Sequence, residues 1–165
     1  MELRRLVRDG CAPASLLYHL NEFVIESFGS SGMYATLFCC EWDAQTDLLR
    51  HAGSGHPPAL LWRADAQCFE RLESANPMIG IERVQRDHFQ QAETCFGAGD
   101  HLVLYTDGVL ESVAENAIDG LIARIQPVVR NGAAAIADAT VLRPVTHTPS
   151  PPPDDMYVVV LSVKT

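Results

Sequence analysis

The stretch Gly99-Asp-His-Leu-Val-Leu-Tyr-Thr-Asp-Gly-Val-Leu-Glu111 decides how this chain folds. Its apolar residues 102–105 are typical of a β-strand, which Asp100 precedes and Asp107-Gly108 follows. A strand that ends in a carboxylate, followed by a glycine that allows a sharp turn, is a common way to position a metal ligand. Asp-Gly between apolar segments is also a strong hairpin signal, so a simple turn is the alternative.

A second acidic pair, Asp154-Asp155, stands at the start of the last apolar strand, predicted over 156–163. If this strand and the one before Asp107 are antiparallel neighbours, their acidic ends meet at one edge of a sheet. Clustered carboxylates repel one another unless a cation lies between them, and oxygen ligands favour Mg²⁺ or Mn²⁺ over zinc. The alternative is that both aspartates only cap turns.

Length and composition limit the function classes. At 165 residues the chain is expected to form one domain, and its formal charge of −9 argues against nucleic acid or an anionic membrane as partner. No apolar run is long enough to span a bilayer, and no secretory leader is visible, so we expect a cytoplasmic protein. The five cysteines lack Cys-x-x-Cys spacing, which favours reduced thiols over zinc or disulfides.

The order of predicted elements indicates an α+β fold with antiparallel sheets flanked by helices. Helices are predicted over 2–8, 13–28, 115–129 and 133–140, and strands over 33–42, 48–52, 59–62, 68–72, 88–96, 101–107 and 156–163. A proline-rich extended segment is predicted over 142–153. In the rigid loop 53–58, His56 is either a ligand or a histidine that holds the loop through hydrogen bonds.

Five blocks of sequence resemble the metal-dependent protein phosphatases, also known as the protein phosphatase 2C-like family. The blocks are Met33–Leu37, Ala52–Pro58, Met78–Gly80, Gly99–Val109 and Asp154–Met156, and their order matches the family over residues 12–165. The similarity is to the bacterial branch typified by the stage II sporulation phosphatase and the sigma-factor regulatory phosphatases.

The resemblance implies one phosphatase domain over residues 1–165, folded as an antiparallel β-sandwich flanked by helices. It implies that Asp107 and Asp154 are catalytic metal ligands for Mn²⁺ or Mg²⁺, with Asp155 beside them as a further metal ligand. Gly55, His56, Gly80 and Gly108 would shape the loops around the site. The implied reaction is hydrolysis of phosphoserine or phosphothreonine on a phosphorylated protein, of the anti-sigma-factor antagonist type.

Two positions depart from the family pattern. Tyr157 follows Asp154-Asp155-Met156 where the family usually has threonine, and no Asp-x-x-Gly-His-Gly block precedes the first long helix. By the resemblance, that block supplies the aspartate that bridges two metal ions. The chain is therefore expected to lack the first strands of the sandwich and to hold at most one weak metal site. An inactive binding module in a partner-switching pathway is the alternative to an enzyme, and an uncovered sheet edge would allow a homodimer.

Overall fold

The computed structural model describes residues 2–113, 117–141 and 155–163 as a mixed α+β fold. The α-helices in this part of the chain are α1 (Glu2–Arg8), α2 (Pro13–Phe28), α3 (Asp107–Glu111), α4 (Ala117–Ile125) and α5 (Ala133–Val141). The strands are β1 (Leu37–Asp43), β2 (Leu48–Ser54), β3 (Ala59–Arg63), β4 (Cys68–Leu72), β5 (Ala92–Cys95), β6 (His101–Tyr105) and β7 (Val158–Ser162). Short 3₁₀ helices cover Gly29–Ser31, Arg86–His88 and Gln126–Asn131.

The chain divides into two compact units, each with its own sheet. The first unit comprises Met1–Pro58 and Leu72–Phe96. Its sheet has the order β1-β2-β5 with both pairings antiparallel, and its core includes Leu17, Ala52, Ile79 and Phe89.

Helix α2 lies in the first unit and begins where the sequence predicts, because Pro13 occupies the first turn, where its missing N–H costs nothing. Leu16 and Leu17 are buried, but the apolar residues further along the helix are not, since Phe23 is 45% exposed and Phe28 38% exposed. A polar residue, Asn21, is buried instead.

The second unit comprises Ala59–Arg71 and Gly97–Thr165, within which the structure describes a sheet of order β4-β3-β6-β7. Both β3–β6 and β6–β7 pair antiparallel. Alternate residues of β3, β6 and β7 face the core of this unit, and apolar side chains of α4, α5 and the 3₁₀ helix Gln126–Asn131 complete it. The buried members from the strands are Leu60, Trp62, Val103 and Tyr105, and those from the helices are Leu121, Ile125, Val129 and Ile136. The α+β class with antiparallel sheets is thus confirmed.

Several predicted bounds were wrong. Strand β1 begins at Leu37 rather than residue 33, and it is a half-exposed strand at the edge of its sheet. Strand β5 covers only Ala92–Cys95 of the predicted 88–96. The predicted segment 142–153 lies outside the described residues. All five cysteines are free thiols, and none of the described helices combines the length and apolar character needed to cross a membrane.

Candidate functional site

The end of β6 and the start of β7 meet at one edge of the second sheet. The register pairs Tyr105 with Val158, Leu104 with Val159 and Val103 with Val160. The residues that follow Tyr105 therefore lie beside those that precede Val158. The antiparallel pairing on which the predicted convergence depended is confirmed.

Thr106 extends this pairing beyond the strands. Its N–H donates to the Tyr157 carbonyl at 3.1 Å, and its hydroxyl donates to the Asp155 carbonyl at 2.8 Å. The same hydroxyl accepts the Tyr157 N–H at 3.0 Å. One side chain thus holds the backbone of residues 155–157 against the residue that precedes Asp107. Nothing in the sequence analysis identified Thr106, because a threonine before Asp-Gly has no distinctive spacing.

Asp107 is the first residue of helix α3, whereas the sequence predicted the end of a strand followed by a turn. The strand ends at Tyr105, Thr106 is extended, and the Val109 N–H donates to the Thr106 carbonyl at 3.0 Å. A carboxylate in the first turn is favoured by the helix dipole, which explains why the chain enters a helix here. The Asp107 side chain is exposed, and its Oδ1 accepts the N–H of buried Gly108 at 3.1 Å.

The other predicted ligands lie at the start of the last strand. Asp155 is exposed, and its backbone is held by Thr106 as described above. Asp154 lies outside the described residues. It directly precedes Asp155 in the sequence.

The donors at this edge suit a hard cation in kind but are few in number. Asp107 and Asp155 offer carboxylate oxygens, which Mg²⁺ and Mn²⁺ prefer, and their exposure leaves room for the water ligands that such ions retain. Among the described residues, however, no group of three or more His, Cys, Asp or Glu side chains could hold a metal ion. The described donor set fits part of a single metal site and does not by itself supply a paired-ion centre.

The predicted loop residues of the first unit have clear structural roles. Gly55 has a φ of +62°, and a Cβ there would collide with the Met78 side chain. His56 Nδ1 lies 2.9 Å from the Pro57 carbonyl oxygen, in line with the loop-holding alternative.

Gly80 has a φ of +89°, and a Cβ there would lie 2.6 Å from both the Met33 carbonyl oxygen and Val24 Cγ1. Its N–H donates to Asn21 Oδ1 at 2.8 Å, while Asn21 Nδ2 donates to the Glu82 carbonyl at 2.9 Å. Buried Asn21 therefore ties helix α2 to the segment around Gly80. A polar residue on an apolar helix face is the signal that could have identified it.

Comparison with characterised proteins links this chain to phosphatases. It is 29% identical to the phosphoserine phosphatase RsbU of Bacillus subtilis, over 67% of this chain and 32% of RsbU. It is 27% identical to the phosphoserine phosphatase RsbP of the same organism, over 67% of this chain and 28% of RsbP. The chain thus spans about a third of the length of these relatives.

Solved structures have the same fold. The manganese-presoaked phosphatase domain of SpoIIE from Bacillus subtilis matches with a TM-score of 0.67 and 19% identity, over 98% of this chain and 71% of that one. The catalytic domain of the serine/threonine phosphatase PstP, in complex with two manganese ions, matches with a TM-score of 0.60 and 15% identity, over 92% of this chain and 68% of that one.

The strongest assignment comes from the family comparison, which covers almost every residue. Residues 1–164 match the family described as stage II sporulation protein E. Together with the α+β fold and the β6–β7 edge, this match identifies the chain as a member of the stage II sporulation protein E (SpoIIE) family, with the fold of the protein phosphatase 2C-like domains.

Proposed function

We propose that this chain is a serine/threonine phosphoprotein phosphatase domain and that Asp107 and Asp154 hold the divalent cation on which it depends. Asp155 would support the same site. The observation that supports the proposal is the β6–β7 register, which Thr106 extends to residue 155, so that Asp107 and Asp155 follow and precede paired strands at one sheet edge.

The proposed cation is Mn²⁺ or Mg²⁺. The manganese-presoaked SpoIIE domain and the manganese complex of PstP, both of this fold, support that choice, as do the carboxylate donors. When bound, such an ion lowers the pKa of a water molecule and offsets the negative charge of a phosphoryl group. It would also let a chain of net charge −9 accept a phosphorylated substrate.

The residues of this chain would orient the cation and the substrate. With Asp107 Oδ1 engaged by the Gly108 N–H, Oδ2 is the atom available to a cation. Thr106 would act as a positioning residue, because its hydroxyl fixes the backbone that carries Asp155. The substrate we propose is a phosphoserine or phosphothreonine of a bacterial signalling protein, of the anti-sigma-factor antagonist type. The similarity to RsbU and RsbP supports that substrate class.

The proposal is tested by Mn²⁺-dependent release of phosphate from a phosphoserine peptide. We expect Asp107→Asn to lower the rate by roughly a hundredfold or more, because a neutral amide is a much weaker ligand for a hard cation. Glu111→Gln is the matched control, since Glu111 is exposed at the other end of α3 and loses the same charge. Full activity in Asp107→Asn, or equal losses in both variants, would refute the assigned role.

A second candidate function is a binding module that retains the fold without catalysis. The departure at Tyr157, which follows Asp154-Asp155-Met156 where the family usually has threonine, favours it. Calorimetric titration with Mn²⁺ separates the two candidates. Binding that Asp107→Asn abolishes supports the phosphatase, whereas a folded protein that neither binds Mn²⁺ nor releases phosphate supports the binding module.

A further inference from the structure

A cavity of about 570 Å³ lies in the second unit, at the end of the sheet where β6 begins and β7 ends. One wall is the sheet, and the other is the turn between the 3₁₀ helix Gln126–Asn131 and α5. This volume is in the range of small-molecule sites. None of the residues assigned above to the metal site lines the cavity.

The sheet wall is a row of three side chains across three strands. Trp62 of β3 pairs with His101 of β6, and His101 pairs with Ser162 of β7. Directly opposed residues of antiparallel strands lie on the same face of a sheet, so these three side chains are neighbours. His101 Nδ1 lies 2.6 Å from Ser162 Oγ, which fixes the imidazole ring beside the hydroxyl.

The helical wall contributes a cation. Arg130 lines the cavity, and its guanidinium donates to the side-chain oxygen of Gln67. Within the described ranges Arg130 has no carboxylate partner, unlike Arg71, which pairs with Asp119 at 2.5 Å. The Gln67 amide donates in turn to the Ala64 carbonyl, so Gln67 holds Arg130 in place without neutralising it.

The carboxylate of Asp100, the residue before His101, already has partners of its own. Asp100 is 7% exposed, and its carboxylate accepts the N–H of Ala64 at 2.9 Å and of Gly97 at 3.1 Å. It also lies 3.5 Å from Arg63 Nη1. No Asp or Glu is among the described lining residues. Among the described residues, Arg130 therefore gives this cavity a positive charge that no carboxylate in the lining offsets, although the chain as a whole carries a net charge of −9.

The rest of the lining is apolar. Val129 and Ala133 line the cavity on the helical side. Trp62, which belongs to the hydrophobic core of this unit, lines it on the sheet side. A ligand that satisfies both parts of the lining needs an anionic oxygen group for the donors and an apolar body for the remaining surface.

We propose that this cavity binds a small organic anion, whose carboxylate or phosphoryl oxygens contact Arg130, His101 and Ser162 and whose apolar body lies against Trp62, Val129 and Ala133. The guanidinium supplies two parallel N–H donors, the geometry that carboxylate and phosphoryl groups accept best. The site is distinct from the proposed phosphatase site and does not depend on its activity.

The emission of Trp62 provides a direct test. The chain has two tryptophans, so the variant Trp42→Phe leaves Trp62 as the sole reporter. The probes are phenylacetate, benzylphosphonate and inorganic phosphate, each titrated into the full chain. We expect saturable changes in emission with the two organic anions and weaker binding of inorganic phosphate, which lacks the apolar body.

Two variants on this background identify the cation. Arg130→Gln should weaken binding of benzylphosphonate by roughly tenfold or more, because a charge-assisted contact is lost. Gln67→Glu should weaken it similarly while retaining Arg130, because the new carboxylate would neutralise the guanidinium. Arg4→Gln is the matched control, since it removes one exposed positive charge from α1 in the first unit and should leave binding unchanged.

Each remaining outcome would overturn part or all of the proposal. A lack of saturable response to either organic anion in the folded protein overturns the site. Equal affinity for inorganic phosphate and benzylphosphonate overturns the role of the apolar wall. Unchanged affinity in folded Arg130→Gln overturns the role of the cation. Circular dichroism of each variant establishes that it is folded.

Discussion

At the scale of single residues, Thr106 links the end of β6 to residues 155 and 157, which precede β7. Its hydroxyl donates to the Asp155 carbonyl and accepts the Tyr157 N–H, at 2.8 and 3.0 Å. Valine has nearly the same shape but can make neither bond. The backbone groups at residues 155 and 157 would then each lose a protein partner.

We expect Thr106→Val to lower the free energy of unfolding by about 1–3 kcal/mol, through the loss of these two hydrogen bonds. Thr106→Ser, which keeps the hydroxyl, should lose less than half as much. Urea denaturation followed by circular dichroism measures both. If the valine variant is as stable as the parent chain, the hydroxyl does not hold this edge.

The pairing of β6 with β7 was easier to predict from the sequence than the conformation at Asp107. Asp107 was identified from an apolar run followed by Asp-Gly, and the pairing of β6 with β7 is as expected. The helix that begins at Asp107 was not predicted, because Asp-Gly is compatible with both a turn and a first helical turn. Whether Asp107 and Asp154 share a cation stays a prediction.

At the scale of elements, the contact between helix α2 and the segment around Gly80 depends on close backbone approach. Gly80 combines a φ of +89° with a space that a Cβ would overfill, against Val24 of α2 and the Met33 carbonyl. Gly10, between α1 and α2, has a similar φ of +70° but nothing within 4 Å of a Cβ. A comparison of substitutions at the two glycines therefore separates the cost of backbone strain, which both positions share, from the cost of a steric collision, which occurs only at Gly80.

We expect Gly80→Ala to lower the free energy of unfolding by about 2–4 kcal/mol, because strain and overpacking add. Gly10→Ala should lower it by only about 1 kcal/mol, because an L-residue at positive φ is strained there without a collision. Thermal denaturation of the two variants provides the comparison. Equal losses would mean that space around Gly80 is not limiting.

Element bounds were predictable where the sequence carries an unambiguous start or stop. Pro13 marks the start of α2, and Asp9-Gly10 marks the end of α1. Bounds were wrong where apolar residues continue beyond the strand, as at residues 33–36 before β1. The apolar residues before β1 do not pair with a neighbouring strand as β1 does. Met33 and Tyr34 are exposed, and Ala35 forms a single β-bridge with Ile79.

At the scale of the whole molecule, each compact unit contains a histidine whose pKa is lowered by burial. His51 is 6% exposed and stacked on Phe38 with ring centroids 5.7 Å apart, and burial lowers its pKa below the ordinary value. Burial also lowers the pKa of His101, against a smaller opposing effect of Asp100. Both imidazoles are therefore harder to protonate in the folded protein than in the unfolded chain.

We expect stability to be greatest above the unfolded-state histidine pKa of about 6.5 and to decrease as the pH falls below it, because the unfolded state then binds more protons. His51→Phe should reduce the slope between about pH 6.5 and 5. Urea midpoints measured across this range test the expectation. An unchanged slope in a folded His51→Phe variant would exclude His51 as the source.

The α+β class followed from the order of predicted elements, and the family followed from five short blocks. The division into two compact units did not follow, since each unit combines segments separated in the chain, and local periodicity carries no information on such contacts. The cavity beside His101 was missed for the same reason. Trp62, His101 and Ser162 become neighbours only through strand register.

The β6–β7 register also limits how this chain can be recombined with its relatives. Side chains of a strand alternate between faces, so inserting or deleting one residue within 158–162 would move Val160 out of the core. An insertion or deletion within residues 155–157 would instead move the backbone groups of 155 and 157 away from the Thr106 hydroxyl. Viable chimaeras should therefore inherit residues 101–107 and 155–162 from a single parent.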